Sequence, residues 1–203
     1  MILRITRIFT SLLQDLHTER QGISIAEMVV TLAILTIISM MVLVNFSGIG
    51  SAAALERSAR EMAAAIRAAQ ISAISVRYIP KFDEVPPAIG VYFNPSAFPN
   101  LYGTFADRAT SYNFRFDTTE LIETFSIDQK ARINRLLIDN VPVPADGRRN
   151  IIFVSPEATM YIVDDATIPS GMSVGDVLEI ELIGVSGRTK SVIVRTTGQI
   201  SVR

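Results

Sequence analysis

Residues 23–46, ISIAEMVVTLAILTIISMMVLVNF, are the one stretch of this chain that stays apolar over the length of a membrane crossing. Apart from Glu27 they carry no charge, and the next charged residue along the chain is Glu56. These 24 residues, as a helix, would extend for about 36 Å, and the hydrocarbon core of a bilayer is about 30 Å thick. The stretch therefore predicts one membrane-spanning helix.

The two flanks of this stretch differ in charge and in length. Residues 1–22 contain three arginines and two acidic residues, a net charge of +1, whereas residues 51–203 form a long and more polar remainder. Because basic flanks stay on the cytoplasmic side of a membrane, the N-terminus is predicted to be cytoplasmic and the remainder to be exported. The chain is thus expected to cross the inner (cytoplasmic) membrane once.

Three interpretations compete for the apolar stretch. An ordinary signal anchor is the simplest of them. A cleaved secretory signal peptide is the second, since residues 51–54, Ser-Ala-Ala-Ala, offer small side chains for cleavage. However, residues 28–46 are uninterrupted by charge for 19 positions, which is longer than the 7–15 apolar residues of a signal peptide. The third interpretation depends on Glu27.

Glu27 is a carboxylate at the edge of an otherwise uncharged run. An acidic residue at the centre of a membrane helix costs roughly 2.5 to 3.5 kcal/mol to insert, and less near the helix end. Such a residue indicates a functional role, although at headgroup depth it could also be a passive interfacial group.

The segment Arg20-Gln21-Gly22-Ile23-Ser24-Ile25-Ala26-Glu27, followed at once by the apolar run, resembles the processing signal of type IV pilins and type II secretion pseudopilins. The resemblance implies that prepilin peptidase cuts between Gly22 and Ile23 and that the new N-terminus at Ile23 is N-methylated. Glu27 then becomes the fifth mature residue. The family usually has phenylalanine first, where this chain has Ile23.

The chemistry of this signal suggests how subunits would assemble. After cleavage Ile23 carries a positive amine, and a lone amine and a lone carboxylate at membrane depth are both poorly solvated. If the amine of one subunit lies against Glu27 of the next, each partly offsets the desolvation of the other. The family places this pair between subunits of a helical filament.

Residues 51–78 are predicted to continue as helix. Apolar residues recur at alternating spacings of four and three, which is typical of a helix with one buried face; they are Leu55, Ala59, Met62, Ile66, Ala69, Ala73 and Val76. Gly48 and Gly50 lie at the junction with the apolar run. Each glycine costs a helix about 1 kcal/mol, so a bend is expected there.

Residues 79–203 are predicted to be β-rich. Residues 79–110 hold five prolines, which indicates loops around one short strand. Residues 120–127 and 132–141 are ambiguous, with strand favoured for the second, and Thr197-Gly198 predicts a tight turn. The predicted strands are Ala88–Phe93, Tyr112–Phe116, Asn150–Ser155, Met160–Val163, Val177–Ile183, Lys190–Arg195 and Gln199–Val202.

Composition argues against several other functions. The net charge of −1 disfavours a general nucleic-acid binder. The chain has no cysteine, and cleavage after Gly22 would remove His17, its one histidine, so histidine triads and ordinary zinc sites are excluded from the mature chain. Two further kinds of site are considered but not favoured. One is a calcium site at Asp164-Asp165 or at residues 176–179. The other is a contact with DNA or a partner at Arg132, Arg135 and Arg148-Arg149. We expect no cofactor and no catalytic or metal site.

These observations predict a pilin-like α+β fold, in which a long N-terminal helix packs its second half on an antiparallel sheet. The expected parts are a leader peptide (1–22), a transmembrane and assembly helix (23–50) and an exported head (51–203, with helix 51–78 followed by β-rich 79–203). The function predicted is structural and not enzymatic: a minor pilin or pseudopilin that joins a type IV pilus or a type II secretion pseudopilus. The alternatives are a membrane-anchored exported enzyme or ligand-binding head, and a tip adhesin or DNA-uptake subunit. Its expected partners are prepilin peptidase and other pilin or pseudopilin subunits, with no nucleic acid in the main interpretation.

The first prediction concerns processing after Gly22. When the chain is made in cells that contain prepilin peptidase, the mature protein should begin at Ile23 with a methylated α-amine. N-terminal sequencing or intact mass spectrometry checks this. A mature protein that begins at Met1, or near Ala54, would contradict it.

Overall fold

The computed structural model describes residues 24–144, 147–164 and 175–203. Gly22 and Ile23 therefore lie outside the described residues. The described chain is of the α+β class, with one long N-terminal helix followed by antiparallel sheets. It divides into two compact units between Phe46 and Ser47, and the second unit forms the head. The helix α1 runs from Ile25 to Ile74 and contains the division.

Ten strands of the head form two five-stranded antiparallel sheets. Sheet 1 has the order β3-β2-β1-β6-β7 and sheet 2 the order β10-β9-β8-β4-β5. A short 3₁₀ helix, Thr118–Glu120, precedes β3. The strands are β1 Ala88–Phe93, β2 Leu101–Asp107, β3 Leu121–Ser126, β4 Ala131–Ile138, β5 Val141–Pro142, β6 Arg149–Val154, β7 Thr159–Asp164, β8 Val177–Gly184, β9 Thr189–Arg195 and β10 Ile200–Val202.

The apolar face predicted for the helix is confirmed over six of its seven positions. Leu55, Ala59, Met62, Ile66, Ala69 and Ala73 are buried, whereas Val76 is exposed. Val76 is exposed because the helix ends at Ile74, four residues before the predicted end. The N–H of Arg77 donates to the carbonyl of Ser72 and that of Val76 to the carbonyl of Ala73, while Val76 has a φ of 48°. This is a Schellman motif, which ends a helix by satisfying its last carbonyl groups.

A single cluster of buried side chains joins the head's helical segment to both sheets. Sheet 1 contributes alternate residues such as Ile89, Val91 and Phe153, and sheet 2 contributes residues such as Ile180 and Val192. The prediction of one sheet was wrong in this respect, because two sheets share the helix. Hydrophobic periodicity assigns a residue to a face of its strand, but it does not say which sheet the strand joins.

Two predictions between β1 and β3 were wrong. Residues 101–107, expected to be loop, form β2, which pairs with both β1 and β3. Tyr112–Phe116, expected to be a strand, is an irregular loop in which Phe114 has a φ of 60°. The loop folds around Asp107, whose carboxylate accepts hydrogen bonds from the N–H groups of Asn113 (3.1 Å) and Phe114 (2.7 Å). Period-two alternation in this segment therefore reflects aromatic rings that face a sheet, not a strand within one.

The aromatic rings of this loop cover the outer face of sheet 1. Phe114 is buried in a second cluster with Phe105, and Phe116 packs against that cluster. Tyr92 on β1 stacks on Phe116 with ring centroids 4.2 Å apart, and Phe114 meets Tyr161 edge-on at 5.7 Å. Sheet 1 is thus buried on both faces, because the loop supplies the second apolar layer.

The other predicted strands are confirmed with shifts of one or two residues at their ends. The ambiguous segment 120–127 contains β3, and 132–141 contains most of β4 and the start of β5. Asp139 and Asn140, both with positive φ, form the turn between β4 and β5. The turn at Thr197-Gly198 is also confirmed: Gly198 has a φ of 85°, and the N–H of Arg195 donates to the carbonyl of Gln199.

We expect Gly90→Ala to destabilise the head by about 1 to 3 kcal/mol, because it overpacks sheet 1. A Cβ on Gly90 would lie 2.5 Å from two ring atoms of Phe105 and 2.9 Å from the carbonyl oxygen of Ile151. The measurement is urea unfolding of residues 51–203 produced alone, which we expect to be soluble because the apolar run is absent.

Gly184→Ala is the matched control for this substitution. Gly184 is also a buried glycine in a strand, but a Cβ there would lie 3.6 Å from its nearest neighbour, the side chain of Leu55. It should leave stability unchanged or raise it by up to about 1 kcal/mol. If both variants lose the same free energy of unfolding, the close contact between Phe105 and Gly90 is not the cause of the destabilisation.

Candidate assembly site

The described residues include one helical segment that is long and apolar enough to cross a membrane, Ile25–Leu43. Its 19 residues have a mean hydropathy of 2.3, and none of them is buried against the rest of the chain. At 1.5 Å per residue the segment is about 28 Å long, close to the thickness of a bilayer core. A segment with apolar side chains exposed all round needs lipid or other helices to cover it.

Both threonine hydroxyls of this segment form hydrogen bonds within the helix. Ser24 lies just before the helix, and its Oγ accepts a hydrogen bond from the N–H of Glu27 at 3.2 Å. The hydroxyls of Thr31 and Thr36 donate to the carbonyls of Met28 (3.0 Å) and Leu32 (2.7 Å). Hydroxyl groups bonded inside their own helix do not need water, so they are compatible with a hydrocarbon environment.

Glu27 is the one charged residue of the segment, and it lies in the first turn of α1 with an exposed side chain. Its carboxylate forms no ion pair with any residue of the described ranges 24–144, 147–164 and 175–203. The positive end of the helix dipole favours a carboxylate at this position. The carboxylate is therefore oriented by the helix start and remains available to a group from outside the chain.

Sequence reasoning missed the role of Ser24. Ser24 and Glu27 have the spacing of a capping box, in which the first residue accepts from the N–H of the residue three positions later. The serine followed three positions later by glutamate was the signal that could have found it. This arrangement gives Ser24 a local function as the cap of α1, and it places Glu27 in the first turn of the helix.

The remaining predicted assembly residues are placed as follows. Gly22 and Ile23, the predicted cleavage and methylation residues, precede the described chain. Gly48 and Gly50 lie inside α1, which keeps its helical hydrogen bonding through both glycines. The bend expected there stays a prediction.

Among the described residues of the head, two carboxylates are buried, those of Asp107 and Glu120. A carboxylate pair in a cleft would have favoured the enzyme alternative. Here both residues organise the loop between β2 and β3. Asp107 accepts from two backbone N–H groups, as described above, and Glu120 accepts from the N–H of Arg108 (3.3 Å) and from the hydroxyl of Ser111. These contacts account for both oxygens of Asp107 and for Oε1 of Glu120, whereas Oε2 of Glu120 is buried without a hydrogen-bond partner among the described residues.

Burial raises the pKa of Asp107 to about 6. The hydrogen bonds from Asn113 and Phe114 act in the opposite direction, and the negative charge of Glu120 adds to the effect of burial. Burial outweighs the two hydrogen bonds, because a carboxylate away from water is strongly destabilised.

Several of the other charged residues considered in the sequence form ion pairs within the head. Asp164 pairs with Arg149 at 2.9 Å, and Arg149 is buried, so it is not the solvated surface residue that was expected. Arg135 pairs with Glu181 at 3.0 Å. Asp165 is not among the described residues, and within the described ranges no group of three or more histidine, cysteine or acidic residues could hold a metal ion.

Comparisons of this chain with family models, with curated proteins and with solved structures find no match. The site is therefore interpreted from its own residues.

The buried carboxylate of Asp107 predicts a pH dependence of stability. Its pKa is raised from about 4 in the unfolded chain to about 6 in the folded head, so the folded state binds more protons between these values. The stabilisation of the folded head by the protonated Asp107 is fully present below about pH 4 and is lost as the pH rises through 6. Acidification from pH 7 to pH 5 should stabilise the head by about 1 kcal/mol through this group.

Asp107→Asn provides the comparison, because it removes the titration. Urea unfolding of residues 51–203 at pH 7 and pH 5 should show the native chain gaining about 1 kcal/mol relative to the variant. The other titrating groups are common to both chains, and those that do not interact with Asp107 cancel in the comparison. Parallel pH profiles would mean that Asp107 titrates near its ordinary pKa.

Proposed function

We propose that this chain is the precursor of a structural filament subunit, a minor pilin or pseudopilin with a pilin-like fold. It is inserted in the inner membrane with its head exported, is cut by prepilin peptidase after Gly22, and is then assembled into a type IV pilus or a type II secretion pseudopilus. The observation that carries the proposal is the single unpaired carboxylate, Glu27, in the first turn of a 19-residue apolar helix.

The apolar helix supports assembly for a second reason. Between Ile25 and Leu43 no side chain of the segment is buried by the chain itself. When the subunit leaves the bilayer, water cannot take the place of lipid around this surface at acceptable cost. Equivalent helices of neighbouring subunits provide an apolar environment, which makes a bundle of such helices the natural structure outside the membrane.

The charge at the helix start gives this bundle a register. Cleavage would create an amine at Ile23, two residues before the first residue of α1 in the sequence, and a positive charge is unfavourable at this end of a helix dipole. A carboxylate from the next subunit stabilises it. Since Glu27 is the one carboxylate of the segment, the pair forms at one relative height of two neighbouring helices, and other heights leave both charges unpaired in an apolar environment.

Replacing Glu27 should block assembly without blocking processing. Glu27→Gln removes the charge, and glutamine can still occupy this position of a capping box, so the helix start is preserved. The loss of a pair partly solvated at the bilayer edge is worth about 1 to 2 kcal/mol, which lowers incorporation by roughly five- to thirty-fold. The test compares the membrane and sheared-filament fractions of the variant with those of the native chain.

Ser24→Ala is the matched control, because it removes the hydrogen bond to the N–H of Glu27 and keeps the carboxylate. It should be processed and incorporated at close to the native level. If both variants accumulate equally in the membrane, the role of Glu27 is to start the helix. If Glu27→Gln is incorporated normally, Glu27 is a passive interfacial residue and the pairing mechanism is wrong.

A further inference from the structure

One end of sheet 2 carries basic and apolar side chains with few compensating charges. Here we define the basic tip as Lys130, Arg132 and the loop 185–188 that joins β8 to β9. The loop is a tight hairpin: the N–H of Gly184 donates to the carbonyl of Arg188, and the N–H of Gly187 to that of Gly184, both at 2.9 Å. The N–H of Val185 donates to the carbonyl of Lys130 at 3.0 Å, which joins the loop to the start of β4.

The side chains of the basic tip face solvent. Lys130, Arg132, Val185 and Arg188 are all exposed, and Val185 has 73% of its surface accessible. Within the described part of the chain, the three basic side chains have no ion-pair partner. Asp128 is the nearest acidic neighbour in sequence, and one of its oxygens is taken by the backbone N–H of Lys130. The tip therefore combines three positive charges that form no ion pair in the described part of the chain with an exposed apolar residue, and the carboxylates of Glu61 and Asp128 lie beside Lys130 in a neighbouring depression.

A shallow depression in the basic tip has the size of a polar headgroup site. It has a volume of about 530 Å³ and is lined by Lys130 just before β4, by Arg132 on β4, by Asn100 and Gln129, and by residues of the hairpin loop. Positive charges and amide groups around an open depression suit a phosphate diester, whereas Val185 at the edge suits the apolar boundary below it.

The tip lies at the end of the head where the chain emerges from the apolar helix. A Cβ on Gly50 would lie 3.4 Å from Nζ of Lys130, and one on Gly184 would lie 3.6 Å from the side chain of Leu55. Gly50 is seven residues beyond Leu43, the last residue of the candidate span, which is about 10 Å of helix. Seven residues span at most about 25 Å even when fully extended, so the connecting chain keeps Gly50 near the surface of a bilayer that holds the span.

The opposite end of sheet 2 lies farther along the helix. The turn at Thr197-Gly198 is anchored there, because Nε2 of Gln70 donates to the carbonyl of Gly198 at 3.4 Å. Gln70 is fifteen residues beyond Leu55, about 22 Å of helix. The basic tip and the turn at Thr197-Gly198 therefore lie at opposite ends of the head's helical segment, near Gly50 and near Gln70 respectively.

We propose that, before assembly, the basic tip docks on the surface of the membrane and binds the phosphates of anionic phospholipids, with Val185 at the headgroup boundary. This inference rests on the membrane anchoring of the proposed function, and it adds a second membrane contact that holds the head against the bilayer. Each basic residue near an anionic surface strengthens the attraction by about fivefold, and the contact weakens as salt is added.

The experiment uses the full chain reconstituted in vesicles of phosphatidylcholine alone or mixed with phosphatidylglycerol. Since the chain has no cysteine, Val185→Cys and Thr197→Cys each introduce one site for a fluorescent label. Lipids with a nitroxide in the headgroup should quench the label at position 185 strongly in the anionic vesicles, and weakly at position 197 or in neutral vesicles. High salt should remove the difference between the two lipids.

Two charge variants test which residues make the contact. Lys130→Gln with Arg188→Gln should lower the ratio of docked to free heads by about twenty-five-fold and bring the quenching at position 185 to its value in neutral vesicles. Arg77→Gln with Lys81→Gln removes the same charge from the exposed residues beyond the C-terminal end of α1, and it should have no effect.

The outcomes separate this inference from the proposed function. Flotation of the chain with neutral vesicles tests only whether the apolar helix inserts in the membrane. Processing at Gly22 and incorporation into filaments test the proposed function. The docking contact is overturned if quenching at position 185 does not depend on phosphatidylglycerol. It is also overturned if Lys130→Gln with Arg188→Gln leaves this quenching unchanged. Both conclusions hold even if the chain floats with vesicles and assembles into filaments. Crosslinking between copies at position 185 in place of quenching would overturn it in favour of a subunit interface.

Discussion

The close packing of one helix face against two sheets is the constraint on which the head depends. Four of the buried positions on this face are Ala59, Ala63, Ala69 and Ala73. Alanine has the highest helix propensity and the smallest side chain that still packs, so these positions bring strand residues close to the helix backbone at no cost to the helix. Met62 and Ile66 fill the space between them. Because each sheet turns one apolar face to this helix, the three elements share one core.

Helix and sheet 2 are also joined by polar contacts along the rim of the core. Glu56 pairs with Lys190 on β9 at 2.9 Å, and a guanidinium nitrogen of Arg67 donates to the carbonyl of Ile200 at 2.9 Å. Such partly exposed contacts contribute little stability individually, but they fix the register of the helix along the sheet. The register matters for the proposed function, since it determines which end of sheet 2 lies near Gly50, where the chain leaves the apolar segment.

The loop between β2 and β3 shows how a buried charge can take the place of regular structure. The carboxylate of Asp107 loses its hydration on burial and accepts hydrogen bonds from the N–H groups of Asn113 and Phe114. These bonds hold the loop in a conformation that packs Phe114 and Phe116 on sheet 1. The head gains a second apolar layer from nine residues of loop. The raised pKa of Asp107 is a direct consequence, because the group is buried without an opposite charge beside it.

Local physics determined much of this protein from sequence alone. The uncharged run predicted the apolar helix, because a helix satisfies its own backbone hydrogen bonds in an apolar environment. The spacing of four and three predicted which residues of the head's helical segment are buried. Glu27 was recognisable because a carboxylate is costly in an apolar run, and the turn at Thr197-Gly198 was recognisable by its glycine. Tertiary structure alone decided that the strands divide into two sheets, that residues 101–107 form a strand, and that Tyr112–Phe116 does not. It also brought Lys130 beside the loop 185–188, which lies over fifty residues away in sequence. These outcomes depend on contacts between distant segments, and a periodic pattern specifies which face is apolar but not what will cover it.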